Sequence, residues 1–193
     1  SINAKIWIVG GAIRDFLSNK IINDIDFVTN MDMDLFLKKL SSEKIKIYQN
    51  NIQYKTISII LDNNEYQITS FRKDLITFGR QAYVSSAESL YQDSLRRDFT
   101  VNALYLNRKG HLIDPLGGFN DIMNKELKFI GDPALRIEED YLRVIRFCRF
   151  FATFPNKDIS YLLKNKIMKK LINIRILSNK RMKEEFIKIF MVK

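Results

Sequence analysis

The sequence predicts an α/β (α+β) fold, in which a mixed, mostly antiparallel sheet with flanking helices is followed by an all-helical segment. Three observations support this prediction. Short runs of β-branched and apolar residues recur through the first half, the sequence LDNNE supplies a turn between two of them, and apolar residues take a helical spacing from Asp132 onward. We therefore place a boundary near Gly131, between segments 1–131 and 132–193.

The first segment is expected to begin as strand, helix and strand. Residues 5–11 form a short apolar run that enters a turn at two glycines, residues 12–17 have helical spacing, and residues 24–29 form a second strand-like run. A helix is then predicted at residues 33–42, and strands are predicted at residues 44–49, 54–61 and 65–71, which gives a sheet of five strands.

The stretch from Arg72 to Asp93 has no clear hydrophobic period. It contains Gly79 and many polar residues, so it is predicted to be a long surface loop or flap, the kind of segment that often carries function. Residues 100–107 and 110–114 indicate a further pair of strands after it.

Composition restricts the classes of protein that the chain can represent. With 193 residues, 46% of them apolar, the chain can bury one full-sized core or two small ones. It shows neither an apolar run long enough to cross a bilayer nor a signal-peptide pattern, so we predict a cytoplasmic protein. Its one cysteine, Cys148, excludes a disulfide framework and is predicted to fill the core. The net charge of +10 suits a polyanionic partner, although a composition rich in Lys, Ile and Asn can also follow from genomic base bias.

A pair of aspartates is the first candidate for chemistry. In a strand, residues two apart project from the same face, so the carboxylates of Asp24 and Asp26 can reach the same divalent cations. Hard oxygen ligands favour magnesium or manganese. Such pairs are also common at solvated strand ends, which leaves a purely structural interpretation open.

A nucleotide site is indicated just before this pair. Gly10 and Gly11 lie where a buried strand enters a helix, and the absence of side chains there lets backbone N–H groups approach a phosphate. Arg14, one turn into the helix, adds a cation for triphosphate oxygens, and Asp15 can orient it. The alternative is an ordinary tight turn.

These residues belong to a longer motif. GGAIRDFLSNKIINDIDF resembles the signature of the polymerase-beta-like nucleotidyltransferases, specifically the class II CCA-adding enzymes and the related bacterial poly(A) polymerases. Further stretches resemble other motifs of that family in the family's order, namely RRDFTVNALYL, HLIDPLGGFNDI, RIEEDYLRVIRFCRF and LSNKRMKEEFIKIF.

The resemblance implies a fold and an activity. Residues 1–131 would form the polymerase-beta-like nucleotidyltransferase head, and residues 132–193 an incomplete helical neck, with body and tail domains absent. The implied reaction adds C and A from CTP and ATP to the 3′ end of tRNA without a template and releases pyrophosphate. Two Mg²⁺ or Mn²⁺ ions held by Asp24 and Asp26 would activate the RNA hydroxyl and neutralise the leaving group. No membrane and no protein partner is implied.

The RRDF motif is assigned in the same way. By resemblance, Arg97 and Asp98 hold the ribose and phosphate of the incoming nucleotide, although basic residues here can equally be ordinary surface residues. Phe99, Val101 and Ala103 alternate as buried positions of a strand do, which indicates a structural role.

A base-reading site is predicted in RIEEDYLRVIRF. In a helix, Asp140 and Arg143 stand three residues apart and share a face, so an acceptor and a donor can address one planar edge. Cytosine and adenine both present an amino donor beside a ring-nitrogen acceptor, whereas uracil and guanine reverse that polarity. Surface ion pairs along the helix are the usual meaning of this pattern. With the family resemblance, Asp140 and Arg143 become the protein template, and Arg146 assists them.

The chain departs from the family pattern where a third acid is expected. The family commonly has an acidic residue on a neighbouring strand, but this chain has Gln67, and Glu65 two residues earlier is a candidate to compensate. Asn19 replaces a usual glycine and Lys180 a usual acid.

The product of the reaction stays open among several alternatives. Residues 72–96, which the family uses to switch from C to A, show no evident deletion, and this favours complete CCA addition. Poly(A) polymerase, A-only addition and CC-only addition are the enzymatic alternatives. A catalytically silent RNA- or nucleotide-binding module is the alternative from another class.

Overall fold

The computed structural model describes residues 4–41, 43, 45–78, 81–153 and 160–191, and only the backbone of residues 50, 51, 74–78 and 81–83. The strands are β1 (Ile6–Val9), β2 (Asp26–Thr29), β3 (Lys46–Asn51), β4 (Thr56–Leu61), β5 (Asn64–Ser70), β6 (Arg72–Phe78), β7 (Gln81–Ser86), β8 (Tyr105–Asn107) and β9 (Leu112–Ile113). The helices are α1 (Gly11–Leu17), α2 (Met33–Leu40), α3 (Leu90–Leu95), α4 (Gly118–Met123), α5 (Pro133–Glu139), α6 (Leu142–Thr153), α7 (Tyr161–Leu171) and α8 (Asn179–Phe190).

The main sheet is mixed and mostly antiparallel, as predicted. Over the described residues its strand order is β3-β4-β5-β2-β1-β8-β9, and only β2 and β5 run parallel. The predicted number of five strands is wrong because the later pair, β8 and β9, joins this sheet beside β1. The two strands on either side of α1 lie next to each other and are antiparallel.

The prediction of a loop from Arg72 to Asp93 is also wrong. Strands β6 and β7 pair with each other as a separate antiparallel ribbon, and α3 follows them. Because the ribbon, as far as its residues are described, pairs with no strand of the main sheet, no shared sheet face imposes an alternating pattern on its sequence. Gly79 lies outside the described residues.

The burial of Phe99, Val101 and Ala103 is confirmed, but their strand conformation is wrong. All three side chains are fully buried, whereas residues 100–102 form a 3-10 helix. The polar neighbours in that helix are buried too, so this segment is enclosed on every side and burial does not alternate. A side chain at Gly118 would come within 2.2 Å of the carbonyl oxygen of Thr100, which explains why glycine is needed there.

The helices predicted after Asp132 are present as α5 to α8. Phe147 and Phe150 of α6 pack on Phe99, so one hydrophobic core extends across the predicted boundary at Gly131. The division into 1–131 and 132–193 stays a prediction. None of the helices in the described part of the chain has the length and apolar character that a bilayer crossing requires.

The prediction that Cys148 fills the core is wrong. Its side chain is exposed, while the neighbouring Phe147 is buried. Since successive helical residues are rotated by about 100°, Cys148 falls on the face of α6 that turns away from the core.

Candidate active site

A polar cleft opens where β2 and β5 run side by side. Asp26 is in register with Gln67 of the neighbouring strand, so their side chains emerge next to each other. The cleft has a volume of about 210 Å³. Its lining includes Asp26, Thr56, Gln67, Thr69, Arg72, Arg96 and Arg97. An acid, an amide, hydroxyls and arginines therefore share one opening.

The two aspartates are close together, but only one of them is in the strand. Asp26 is the first residue of β2, and Asp24 precedes it, so the prediction that both project from one strand face is wrong. Among the described residues, neither carboxylate makes a hydrogen bond or an ion pair. Desolvation raises the pKa of Asp26 above its usual value, the positive charge of Arg97 opposes that shift, and the negative charge of Asp24 adds to it.

The glycine turn lies directly beside Arg97. Gly10 caps α1 with φ of 76°, a conformation that disfavours other residues. A side chain at Gly10 would meet Nη1 of Arg97 at 3.5 Å and the carbonyl oxygen of Asn102 at 3.4 Å. Gly11 opens α1. The turn therefore brings unobstructed backbone to an arginine of the cleft.

Asp15 orients Arg14, as predicted. The guanidinium of Arg14 donates to both carboxylate oxygens of Asp15 at 2.8–2.9 Å and to Oδ1 of Asn102 at 2.6 Å. It also lies over the ring of Phe150, 4.6 Å from the centroid, so α1 contacts α6 through this arginine.

Arg97 is held from several sides. Its Nη2 donates to Oδ2 of Asp93 at 3.0 Å, and its Nε donates to the hydroxyl of Tyr105 at 3.2 Å. Burial works against the charged guanidinium, but Asp93 and Tyr105 keep the pKa of Arg97 above its usual value. Arg97 is therefore a fixed cation at the cleft.

Asp98 lies behind Arg97 and joins the helices of the second segment. Its Oδ1 accepts from the backbone N–H of Phe99 at 2.9 Å and from Asn102 at 3.0 Å, while its Oδ2 accepts from Nε of Arg146 at 2.6 Å. Arg146 also donates to Oε1 of Glu185 at 3.2 Å. Burial would raise the pKa of Asp98, but Arg146 and Asn102 lower it.

The prediction that Asp140 and Arg143 share a helical face is wrong. Asp140 is extended, with φ of −155° and ψ of 106°, and lies between α5 and α6. Its Oδ1 accepts from the backbone N–H of Leu142 at 3.1 Å, and its Oδ2 accepts from Arg181 at 2.6 Å. The short carboxylate favours this helix-starting position over a place within a helix.

Arg143 is connected to the cleft through Arg136. Nη1 of Arg143 donates to Oε2 of Glu139 at 2.6 Å and to the carbonyl oxygen of Arg136 at 2.7 Å. Nη2 of Arg136 donates in turn to the carbonyl oxygens of Arg96 and Arg97, at 2.8 and 2.6 Å. The predicted base-reading residue and the arginines of the cleft thus belong to one hydrogen-bonded network.

Comparison with known proteins assigns the family. Residues 6–128 match the family described as the poly A polymerase head domain. The chain belongs to this family. The matched region contains the glycine turn, both aspartates, Gln67 and the RRDF motif, whereas Asp140, Arg143 and Arg146 lie beyond it.

Relatives of this poly A polymerase head domain extend the likeness. The human mitochondrial CCA tRNA nucleotidyltransferase 1 is 35% identical over 156 residues, which cover 80% of this chain and 36% of the human protein. The CCA-adding enzyme of Lactobacillus delbrueckii subsp. bulgaricus is 32% identical over 191 residues, covering 96% of this chain and 46% of the relative. The crystal structure of the Bacillus stearothermophilus CCA-adding enzyme in complex with CTP has a TM-score of 0.82 at 27% identity, covering 97% and 44% of the two chains. The chain spans less than half the length of these relatives.

The sequence predictions missed the residues that hold the site from behind. Asp93, Tyr105 and Glu185 are buried and bind predicted arginines. Arg136 joins Arg143 to the backbone of Arg96 and Arg97. Asp93 precedes Arg96 and Arg97 by three and four residues, the spacing at which helical side chains meet, so this acid was open to prediction.

Proposed function

We propose that this chain is the catalytic part of a template-independent RNA nucleotidyltransferase that adds C and A from CTP and ATP to the 3′ end of tRNA. The observation that carries the proposal is the cleft in which the carboxylate of Asp26, which has no hydrogen-bond partner among the described residues, lies within the electrostatic reach of both Arg97 and Asp24. An acid pair beside a fixed guanidinium suits cations and a polyphosphate held together. The relatives are named as CCA-adding enzymes, which supports this reaction.

Asp24 and Asp26 fit a divalent cation. Their carboxylates have no partner among the described residues, desolvation destabilises the charge on Asp26, and the negative charge of Asp24 destabilises it further. Mg²⁺ or Mn²⁺ relieves both effects, and such cations, when bound, supply the Lewis acidity for phosphoryl transfer. No third His, Cys, Asp or Glu joins the pair within the described part of the chain, and Gln67 stands beside it instead.

The other residues bind and orient the substrates. Arg97 and the turn at Gly10 and Gly11 face the triphosphate, and Arg14, fixed by Asp15, extends the positive side of the site. Asp140 and Arg143 read the base, and Arg146, on the same helix as Arg143, binds Asp98 of the RRDF motif. The contacts named here are those of the structure, and the substrate-binding roles given to these residues rest on the family resemblance.

The basic neck suits RNA. Residues 160–191 contain nine lysines and arginines against two glutamates, an excess that attracts a phosphate backbone. A tRNA acceptor end is the polyanion that this reaction requires.

The decisive experiment offers the chain tRNA transcripts that end before CCA, with each labelled nucleotide alone and in combination. Sequencing of the product ends should show CCA, with no use of UTP or GTP. Runs of A would instead assign a poly(A) polymerase, and products ending in CC or lengthened by A alone would assign the partial activities. Absence of incorporation, with retained binding of CTP, would favour the nucleotide-binding alternative.

A further inference from the structure

A fully buried carboxylate behind the cleft has no role in the reaction as described. Asp93, on α3, has 0% exposed surface, and both of its oxygens are occupied. Oδ1 accepts from Nε of Arg96 at 2.8 Å, and Oδ2 accepts from Nη2 of Arg97 at 3.0 Å. One acid therefore grips two consecutive arginines that line the cleft.

We propose that Asp93 is a positioning residue that fixes Arg96 and Arg97 as a two-armed clamp for the triphosphate. The inference rests on the proposed function, because it names the residue that shapes the phosphate side of the same site. Arg96 is engaged through Nε, and among the described residues its terminal nitrogens make no hydrogen bond, so they are available to phosphate oxygens. Guanidinium groups bind such oxygens through paired N–H donors.

Tyr105 completes the arrangement. Its hydroxyl donates to Oδ2 of Asp93 at 2.9 Å and accepts from Nε of Arg97 at 3.2 Å. The tyrosine is itself fully buried, so the acid, the phenol and Arg97 form a closed triangle. Burial would raise the pKa of Asp93, but Arg96 and Arg97 lower it to about 2, and the acid stays charged at neutral pH.

The backbone of the two arginines is fixed as well. The carbonyl oxygens of Arg96 and Arg97 accept from Arg136, so these residues are held at both the main chain and the side chain. Loss of the Asp93 carboxylate therefore frees the guanidinium of Arg96 and removes one of the bonds that hold that of Arg97, while Arg136 still holds the backbone of both residues. This separation makes the clamp testable.

The test measures, by calorimetry, the binding of CTP, cytidine and inorganic triphosphate to the full chain. In Asp93→Asn we expect the Kd for CTP and for inorganic triphosphate to rise about tenfold, while the Kd for cytidine stays the same. Tyr105→Phe keeps the aromatic ring and leaves the charged Asp93 in place, but it removes the hydroxyl between Asp93 and Arg97. It should raise the same two dissociation constants about threefold.

Asp121→Asn is the matched control. Asp121 is also buried and accepts from Thr100 and Lys128 at 2.6 Å, but it does not line the cleft. Its substitution should lower thermal stability and leave triphosphate binding unchanged. If Asp93→Asn does not fold, Tyr105→Phe decides. Wild-type affinity for inorganic triphosphate in the folded variants would overturn the clamp alone, whereas a wild-type chain that binds no triphosphate would overturn the proposed function with it.

Discussion

Arg146 donates from Nε to Oδ2 of Asp98 at 2.6 Å and thereby ties helix α6 to the RRDF motif. Asp98 is buried, and Arg146 reaches on to Glu185 of α8. Oδ1 of Asp98 accepts from the backbone N–H of Phe99 and from the side-chain amide of Asn102. The amide oxygen of Asn102 in turn accepts from Arg14. One carboxylate thus connects the glycine-turn helix α1, the RRDF motif and helices α6 and α8.

Asp98→Asn should therefore lower the thermodynamic stability of the folded chain. The amide cannot neutralise Arg146, so we expect the free energy of unfolding to fall by about 2 kcal/mol, the scale of a lost hydrogen bond to a charged group. Urea denaturation monitored by circular dichroism measures this free energy of unfolding. Glu138→Gln, which removes an exposed ion pair between α5 and α7, serves as the control and should leave the midpoint unchanged. Equal midpoints for both variants would show that Asp98 does not connect the segments.

The raised pKa of Asp26 leads to a second prediction. The folded chain binds a proton on Asp26 more tightly than the unfolded chain does. Protonated Asp26 therefore favours the folded state below the unfolded pKa, and this stabilisation is lost as the pH rises through the folded pKa. Asp26→Asn cannot ionise. We therefore expect the variant to gain stability relative to the wild type between about pH 4 and pH 7, as measured by urea denaturation at both values.

Magnesium should reverse this difference. If Asp24 and Asp26 hold the cation, MgCl₂ at pH 7 should raise the Tm of the wild type more than that of Asp24→Asn or Asp26→Asn, and KCl of equal ionic strength should not. Both variants should also lose nucleotide incorporation, since a missing ligand removes transition-state stabilisation of several kcal/mol. Normal turnover in either variant would contradict the metal assignment.

Gln67 is the subject of the fourth prediction. It lies in register with Asp26, at the position beside the acid pair. Gln67→Glu adds a carboxylate there, so the Mg²⁺ concentration needed for half-maximal rate should fall, or the single-turnover rate should rise. Glu65→Gln is the matched control on the same strand. An unchanged magnesium titration in Gln67→Glu, together with lost activity in Glu65→Gln, would transfer the role to Glu65.

Local patterns were sufficient to predict much of the fold. The positions of β1, α1, α2 and the β4–β5 hairpin follow from apolar periodicity and turn residues, and Asp62 and Asn63 adopt the left-handed conformation that such a turn needs. Where an element is buried on every side, as at residues 99–103, the sequence shows no hydrophobic periodicity, and its conformation cannot be predicted from the pattern. The β6–β7 ribbon was missed for the opposite reason, since in the described part of the chain its two strands pair only with each other.

The site was predictable in its parts but not in its connections. Asp26, Gln67 and Arg97 were named from motifs, and the cleft brings them together. The partners of Arg146 could not be read from the sequence, because Asp98 and Glu185 lie 48 and 39 residues away along the chain. Such contacts depend on tertiary packing, which no local spacing reveals.

The protein template is the subject of the last prediction. Asp140 stands outside the helices, and its Oδ2 accepts from Arg181, while Arg143 is fixed by Glu139. Each carboxylate oxygen can accept a second hydrogen bond, and Arg143 uses only Nη1 in its contacts within the described chain, so both groups retain capacity for a base edge. Arg181→Gln removes the partner of Asp140 but keeps the carboxylate, and it is therefore the matched control.

If Asp140 and Arg143 read the base, their loss should change which nucleotide is used and not only how fast. A mismatch at a buried polar edge costs about 1–3 kcal/mol, so Asp140→Ala should reduce the preference for CTP and ATP over UTP and GTP by about tenfold or more. The measurement is kcat/KM for all four nucleotides, on tRNA ending before the first C, in the wild type, Asp140→Ala, Arg143→Ala and Arg181→Gln. Arg181→Gln should lower all four values by a similar factor, because it loosens Asp140 without removing the acceptor. The same uniform loss in Asp140→Ala and Arg143→Ala would mean that these residues only hold the helices together and that selection lies elsewhere.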